Sequence, residues 1–349
     1  LFTNTTGTAN VAMGTEALVS NTTASNNTAV GYQAGYTNTS GAVNSAFGLQ
    51  ALYSNTTANN NSAFGALSLY SNTTGTANTA VGREALTANT TAAGSVAVGY
   101  QAAYSTTTGT NNLAVGNQSL LSNTTGINNI AVGSLALYNS TGTANTAIGA
   151  NSLQANTTAS NNIAVGYQAG LGLTTGSNCI FIGKGATESA VGTSNQTVLG
   201  TGVTCVGDSN FTFGGGSTDS NIAFGATSIS APSDQRYKED IADATAGLSF
   251  IKDLRPVTFK WKKEKDLPTS HRAYVEGSET RTINDYTNHG FIAQEVKTAI
   301  DAHSEIKDGF DMWCTDNQDD GGRQRIADGA LVPILVKALQ ELSAKNDAL

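Results

Sequence analysis

The sequence predicts a mainly β protein: a trimeric β-solenoid, or β-roll, of 17-residue repeats, followed by a small α+β domain that ends in a helix. Two observations lead to this fold class. A short phrase ending in glycine recurs every 17 residues through the first 200 of 349 residues, with one single-residue deletion that shortens the coil between Gly133 and Gly149, and most charged residues lie in the last third of the chain. A fixed period of this length indicates one supersecondary unit stacked many times, which is typical of a solenoid.

The repeated phrase is a three-residue strand followed by glycine, as in Thr28-Ala29-Val30-Gly31. Because glycine adopts positive φ at little cost, it permits a tight corner where the strand ends. Twelve such units, stacked at about 4.8 Å each, would make a rod about 60 Å long. The corner glycines are Gly14, Gly31, Gly48, Gly65, Gly82, Gly99, Gly116, Gly133, Gly149, Gly166, Gly183 and Gly200.

The two faces of each strand carry different side chains. The residue before the glycine is always large and apolar, and the one before that is alanine in ten units. Since neighbouring strand residues point to opposite faces, we expect the large residue, such as Val30, to fill the inside of its own coil. Alanine is then expected against a closely approaching chain, and the residue two before the large one, such as Thr28, at a partly exposed edge.

Asparagine and threonine dominate the turns between strands, as in 72–75 (NTTG). Asparagine side chains hydrogen-bond readily within turns, and stacked asparagines can form ladders. We expect such a ladder from the asparagines that precede successive strands, Asn27, Asn44, Asn61 and Asn78. A coil of this size encloses little apolar volume. Three chains wrapped about one axis would supply the missing burial, so we expect a homotrimer.

Residues 10–230 resemble the head repeats of trimeric autotransporter adhesins, whose phrase is also a short Ala-Ile/Val-Gly strand followed by a turn. The period of 17 is longer than the unit usual in those heads. The resemblance implies a trimeric β-roll. After Gly200 the glycines come closer together, so we predict the repeat solenoid over 1–206 and shortened repeats with a linker over 207–232.

Charge and composition argue against several classes of function. Seven charged residues precede Ser233, whereas 16 basic and 21 acidic residues lie from Ser233 onward, and the net charge is −8. With no basic block, we expect no nucleic-acid partner. No stretch approaches the ~18 consecutive apolar residues of a membrane span, so we expect no membrane insertion. The cysteines and histidines show neither paired nor zinc spacing, so we predict no metal and no cofactor.

Residues 233–349 contain four blocks: 233–241 (SDQRYKEDI), 254–261 (LRPVTFKW), 289–296 (HGFIAQEV) and 330–342 (ALVPILVKALQEL). In this order they resemble the intramolecular chaperone domain of phage tail spikes and endosialidases, the S74 peptidase family, over nearly all of the region. The resemblance implies a domain that assembles as a trimer and guides folding of the β-rich fibre upstream. It also implies self-cleavage immediately before the serine of the first block, at the Pro232–Ser233 bond.

The resemblance assigns the nucleophile to Ser233 and the general base to Lys238. A serine hydroxyl is a poor nucleophile until a base takes its proton. A lysine takes a proton only as a neutral amine, which needs burial or nearby positive charge. We expect the closed trimer to supply that environment, so that cleavage reports completed folding. The residues are five apart: either the chain bends, with Ser233 or Asp234 capping a short helical turn, or Lys238 acts on the Ser233 of a neighbouring chain.

Three further residues are weaker candidates for supporting roles. Asp234 and Arg236 match the first block of the family. Arg236 would either stabilise the oxyanion or form an ordinary ion pair. Gln294 lies in the third block beside Glu295, where the flanking apolar residues favour packing over catalysis.

The C-terminal segment carries apolar residues at helical spacing, with Pro333 tolerated in the first turn. The 4-3-4-7 spacing predicts a short helix packing about a threefold axis, and the alternative is an amphipathic helix that docks on its own domain. The residues of this stripe are Leu331, Leu335, Ala338, Leu342 and Leu349.

Together these features predict the distal part of a phage tail fibre, located in the virion, extracellular in action and made in the host cytoplasm. Expected partners are two further copies, a host surface glycan or receptor, and other tail proteins through a missing N-terminal region, since the chain opens at Leu1 without methionine. Proteolysis is expected only on its own chain; the acidic residues of the array are too far apart for a glycosidase pair. The alternatives are a bacterial trimeric adhesin and a structural fibre with a retained, non-cleaving cap.

Overall fold

A computed structural model describes the chain except residues 217, 227, 230–232, 234, 270, 272, 307–309, 311 and 316–323. The chain forms two compact units, Leu1–Asp234 and Gln235–Leu349. Among the described residues, no helix has the length and apolar character that a membrane crossing requires.

The first unit is a β-solenoid of about twelve coils, as the 17-residue period predicts. Its sheet has 14 strands in chain order. Strands β1 to β13 pair in parallel and in register, so that Ala29 lies beside Ala46, and β14 runs antiparallel to β13. The strands are β1 Val11–Met13, β2 Thr28–Val30, β3 Ser45–Phe47, β4 Ser62–Phe64, β5 Thr79–Val81, β6 Val96–Val98, β7 Leu113–Val115, β8 Ile130–Val132, β9 Thr146–Ile148, β10 Ile163–Val165, β11 Ile180–Ile182, β12 Thr197–Thr201, β13 Asn210–Gly215 and β14 Ser220–Ala223.

The predicted orientation of the strand faces is wrong. The central alanines of β2 to β10 are only 0–2% exposed and belong to the core of their own coil. The large residues point outward instead: Met13 is 65% and Leu199 47% exposed. The first and third residues of β1 to β12 therefore form one flat, mostly apolar surface, which we call the outer sheet face. The first residues, such as Thr28, are partly exposed as predicted.

Leucines from the opposite corner of most coils explain why alanine lies inside; Gly35 and Ala103 take the equivalent place in two other coils. Leu52, Leu69 and Leu86 are 0–1% exposed and fill the space in front of the strands. At one place the large and small residues are exchanged: Phe181 replaces the strand alanine, and Gly170 replaces the corner leucine. A Cβ on Gly170 would lie only 2.9 Å from the Phe181 ring. The narrow interior thus accepts one large side chain per coil, which comes from the corner rather than from the strand.

Hydrogen-bond ladders of buried asparagine run along the solenoid, as predicted. The Asn27 Oδ1 accepts the backbone N–H of Asn44 at 2.8 Å. A second column links side chains directly, with Asn55 Nδ2 donating to Asn38 Oδ1 at 2.8 Å. Each rung therefore satisfies buried amide groups through its neighbour, which replaces the polar contacts that a thin coil cannot make internally.

The second unit is a small mixed domain with a C-terminal helix. Its core comprises Phe250 and Met312, both fully buried, with Val296, Ile300 and Ile334. The helices are α1 Leu248–Asp253, α2 Ala293–Ala302 and α3 Leu331–Asp347, with 3₁₀ turns at Gln235–Tyr237, Glu264–Asp266 and Asp328–Ala330. In the described part of this unit, two antiparallel strand pairs are present: β15 Val257–Phe259 with β16 Asn288–Gly290, and β17 Trp313–Thr315 with β18 Gln324–Ile326.

Candidate functional site

The candidate cleavage segment lies where the two units join. Ser233 is exposed and lies outside any helix or strand, in the first unit, whereas Lys238 belongs to the second. Pro232 and Asp234 fall outside the described residues. The predicted nucleophile and base are thus on opposite sides of the boundary between the solenoid and the C-terminal unit.

A helical turn separates the two predicted catalytic residues. Residues Gln235–Tyr237 form a 3₁₀ turn, and the Lys238 backbone N–H donates to the Gln235 carbonyl oxygen at 3.1 Å. A turn is therefore present in the segment between Ser233 and Lys238. Capping by Asp234 lies outside the described residues, and the two arrangements expected from the sequence stay predictions.

The cleavage segment is not packed within a single chain. Ser233, Arg236 and Lys238 are all exposed, and exposure continues through residues 239–245 until the buried Ala246. A single chain therefore leaves Ser233 and Lys238 at its surface.

Gln294 lies in a different environment. It is exposed in the first turn of α2 and lines a cleft of about 980 Å³ together with Trp261, His271 and Arg325. The lining includes neither Arg236 nor Lys238. The structure therefore does not bring Gln294 into a common cleft with these two candidates.

Neighbouring charged residues form structural ion pairs. Arg255 Nε donates to Glu295 Oε2 at 2.9 Å, and this hydrogen bond lowers the pKa of Glu295. The pairing supports the structural interpretation of Glu295. Both side chains are solvent-exposed, so solvent screens the pair and it contributes little to stability.

His303, Asp253 and Glu305 form a second polar cluster, which was not predicted from the sequence. The His303 Nε2 lies 2.9 Å from Asp253 Oδ2, and the His303 Nδ1 lies 3.0 Å from Glu305 Oε1. The hydrogen bond to Asp253, followed by that to Glu305, raises the pKa of His303. The pairing joins the ends of α1 and α2, and no sequence spacing pointed to it because its partners are 50 and two residues away.

The predicted stripe on α3 divides between two faces. Leu331 and Ala338 pack with Ile334 in their own unit, at 5–6% exposure, which matches the alternative of self-docking for these residues. Leu335 and Leu342 are exposed at 42% and 53%. The outward stripe has heptad spacing of three and four and comprises Val332, Leu335, Leu339, Leu342, Asn346 and Leu349. We call this set the α3 seam.

A comparison with known protein families found one similarity in the C-terminal part of the chain. The family described as chaperone of endosialidase, Peptidase_S74, matches residues 233–304. The second unit carries an endosialidase-type chaperone segment. The match begins at Ser233 and ends before α3, so it covers less than the expected range of nearly all of 233–349. Comparisons with curated proteins and with solved structures returned no match.

The endosialidase-type match implies self-cleaving activity for this chain. It starts at the serine that follows the solenoid, which is the residue that sequence reasoning selected as nucleophile. A chaperone segment and an upstream β-solenoid together fit a protein of the tail-fibre type. Within the described residues, no group of histidine, cysteine and carboxylate side chains is arranged to hold a metal.

Proposed function

We propose that the chain is the distal part of a phage tail fibre, which attaches to a host surface and is folded by its own C-terminal chaperone. One observation carries the proposal: the S74 match begins at Ser233, directly where the solenoid gives way to the charged unit. A chaperone that removes itself has to be joined to its client at the bond that it cuts. The expected products are a released solenoid fibre and a separate unit beginning at Ser233.

The outer sheet face supports assembly into a homotrimer. It runs the length of β1 to β12, and none of these strands contains a charged residue. Phe64, Ile148 and Ile182 are 40–42% exposed on it. Contiguous apolar surface of this kind marks an interaction site. Since each rung presents nearly the same residues, parallel copies of the chain can meet rung against rung about one axis, which closes the assembly.

The α3 seam supports the same assembly at the other end of the chain. Its three-and-four spacing is that of heptad positions a and d, with Val332 and Leu339 at a and Leu335 and Leu342 at d. Asn346 falls at the next a position, where a polar residue restricts the register and the number of helices. The proposed seam therefore contains Val332 and Leu339 in place of the predicted Leu331 and Ala338. Its proposed partners are still a second and a third copy of α3.

The proposed cleavage of the Pro232–Ser233 bond uses the Ser233 hydroxyl, which directly follows the bond to be cut. In the proposed reaction the Ser233 Oγ attacks the Pro232 carbonyl carbon while Lys238 takes the hydroxyl proton. When the tetrahedral intermediate collapses, the carbon–nitrogen bond breaks and protonated Lys238 gives its proton to the leaving nitrogen. This leaves an ester between Pro232 and the Ser233 Oγ and a free Ser233 amine. Water then hydrolyses the ester, which yields a Pro232 carboxylate and restores the hydroxyl.

Assembly would complete this site. Because Lys238 is exposed in one chain, burial by neighbouring chains is the available route to a neutral amine. The base then acts within its own chain or on the partner's serine. Arg236 would either stabilise the oxyanion or form an ordinary ion pair. Asp234 and Gln294 are proposed for supporting roles only.

Host attachment is assigned to the solenoid, with a surface glycan or receptor as partner and other tail proteins at the N-terminal side. The fibre would act outside the cell as part of the virion. A bacterial adhesin would use the same solenoid but has no need to release a chaperone, so cleavage, if the experiment below detects it, would favour the phage assignment.

The deciding experiment compares wild type with Ser233→Ala by denaturing gel and intact mass. We expect wild type to give two fragments, with the smaller beginning at Ser233, and Ser233→Ala to remain whole. Ser228→Ala is the matched control and should cleave normally. Lys238→Met should also remain whole, whereas Lys252→Met should cleave.

The role of assembly is tested with Leu339→Glu, which places a charge in the α3 seam. We expect a monomer on analytical ultracentrifugation and no cleavage. Cleavage by a verified monomer would contradict assembly-dependent activation. A folded trimeric wild type that never cleaves would instead indicate a permanent structural cap.

A further inference from the structure

A pattern four coils long is superimposed on the 17-residue repeat. At the second residue after the corner glycine, four successive coils carry Glu, Gln, Gln and Leu. This series runs from Glu16 to Leu67 and is repeated 68 residues later, from Glu84 to Leu135. The preceding residue is tyrosine in the second coil of each set, at Tyr32. Folding requires only the 17-residue period, since every coil contacts just its neighbours. A longer period on the surface therefore needs a reason other than folding.

The corner residues form two identical hydrogen-bond ladders. In the first, Gln33 Nε2 donates to Glu16 Oε2 at 2.6 Å, and Gln50 Nε2 donates to Gln33 Oε1 at 2.8 Å. We call Glu16, Gln33 and Gln50 the first amide ladder. The second amide ladder consists of Glu84, Gln101 and Gln118, with distances of 2.7 and 2.9 Å.

The ladders are held rigidly and end in an open acceptor. Both terminal glutamines, Gln50 and Gln118, have φ near +50°, and their backbone N–H groups donate to the carbonyl oxygens of Tyr32 and Tyr100 at 2.9 Å. Leucine follows in the next coil and offers no donor. In the part of the chain that the structure describes, the Oε1 atoms of Gln50 and Gln118 accept no hydrogen bond. Each is therefore an open acceptor one coil away from a tyrosine, to whose backbone its own residue is bonded.

The tyrosine rings are unusually available for a solenoid surface. Tyr32 is 48% and Tyr100 41% exposed. The Arg83 guanidinium lies 5.9 Å from the centre of the Tyr100 ring and also pairs with Glu84, so it orders one side of that ring. A sugar packs its apolar C–H face on such a ring while its hydroxyls donate to fixed oxygen acceptors. The combination of exposed ring and oriented amide fits this chemistry.

Charge narrows the class of sugar. Hydrogen bonds from Gln101 and then Arg83 lower the pKa of Glu84, so this carboxylate is anionic at neutral pH. Glu16 occupies the equivalent place in the first ladder. At the first ladder Glu16 disfavours acidic sugars through like-charge repulsion, because no Lys or Arg precedes Arg83 in the sequence. At the second ladder Arg83 pairs with Glu84 and offsets its charge, so neither ladder carries a net positive charge that would favour an acidic sugar.

We propose that the two amide ladders, with Tyr32 and Tyr100, are equivalent subsites for a neutral, hexose-containing polysaccharide. The inference rests on the proposed attachment function and names its site and ligand class. The subsites are four coils, or about 19 Å, apart, so one polymer chain can occupy both. Simultaneous occupation makes the second contact intramolecular and raises the apparent affinity without further contacts.

The test measures binding of the full chain to immobilised dextran, mannan and galactan as neutral probes and to alginate as an acidic probe. We expect binding to at least one neutral polymer and none to alginate. Tyr32→Ala with Tyr100→Ala should weaken binding at least about tenfold, equivalent to about 1.4 kcal/mol. Alanine occurs naturally in this column at Ala66 and Ala150, so the fold should tolerate the change.

Two matched variants separate the site from general damage. Gln50→Leu with Gln118→Leu removes the open acceptors together with the Nε2 donors to Gln33 and Gln101. Leucine is the natural residue one coil further, so the coil should tolerate the change, and binding should also weaken. Tyr138→Ala removes a tyrosine from another column of the solenoid and should leave binding unchanged. Thermal unfolding of each variant checks that the coils are intact.

The outcomes distinguish this inference from the attachment function. Unchanged neutral-polymer binding by the double tyrosine variant overturns the site, as does preferential binding to alginate. Binding to bacterial envelopes that survives loss of both tyrosines also overturns the site but leaves attachment standing. A wild type that binds neither polymers nor envelopes overturns both.

Discussion

In the solenoid each buried side chain contacts a near copy of itself one coil away, whereas the C-terminal unit buries a single cluster of unlike residues around Phe250. The solenoid satisfies its polar groups by repetition along asparagine ladders. The C-terminal unit relies on side-chain pairs that occur once, such as His303 with Asp253. The contrast suggests that damage to the solenoid should stay local, while damage to the C-terminal unit should spread through all of it.

The largest change in the free energy of unfolding is expected when a large core side chain is truncated in either region. Both variants are made in a Ser233→Ala background, so that the two units stay joined. Phe250→Ala should cost about 3–5 kcal/mol and unfold the whole C-terminal unit, because its core is small. Leu69→Ala should cost about 2–5 kcal/mol but open only neighbouring coils. Hydrogen exchange read by mass spectrometry distinguishes them. Exchange spread over the entire solenoid in Leu69→Ala would contradict the local picture.

The next effect concerns the corners of the solenoid. Gly65 has φ +137°, and a Cβ there would lie 2.5 Å from the Gly82 carbonyl oxygen. Gly65→Ala should cost at least about 1–3 kcal/mol from backbone strain alone. Gly215→Ala is the control, since nothing lies within 4 Å of its Cβ position. Equal melting temperatures for the two variants would show that the corner does not limit stability.

A smaller effect is expected where an asparagine ladder is interrupted. Ser140 occupies an asparagine position, and among the described residues the buried Asn123 Oδ1 and Asn156 Nδ2 on either side have no hydrogen-bond partner. Ser140→Asn should pair both atoms and stabilise the solenoid by about 1–2 kcal/mol. The exposed Ser134→Asn should change little. Thermal unfolding decides, and a loss of stability in Ser140→Asn would mean that the shortened coil cannot accept the larger side chain.

The smallest effect is a pH dependence confined to the C-terminal unit. The pKa of His303 is raised by its bonds to Asp253 and Glu305, so its stabilisation is complete below the ordinary value of about 6.5. It is lost as the pH rises through the raised value. We expect the unit to unfold at lower denaturant concentration at about pH 9 than at about pH 6, by no more than about 1 kcal/mol. His303→Gln should flatten this difference, whereas His289→Gln should retain it.

Prediction from sequence succeeded best where the structure depends on local repetition. The period, the parallel register and the corner glycines follow because residues 17 apart experience the same surroundings, so Gly31 and Gly48 must adopt the same conformation. The cleavage segment was identified from the block around Ser233. Its chemistry could not be derived further from the sequence, because Ser233 and Lys238 lie in different units and are both exposed in one chain.

The sequence by itself determined the solenoid, its twelve coils and the alternation of small and large residues along each strand. Alternation defines two faces without stating which is inside. The tertiary structure decided this by supplying leucine from the opposite corner, as at Leu52, which leaves room only for alanine on the strand. It likewise decided the phase of α3, since Ile334 rather than Leu335 meets the core. Both choices depend on volume contributed by distant residues, which no local pattern contains.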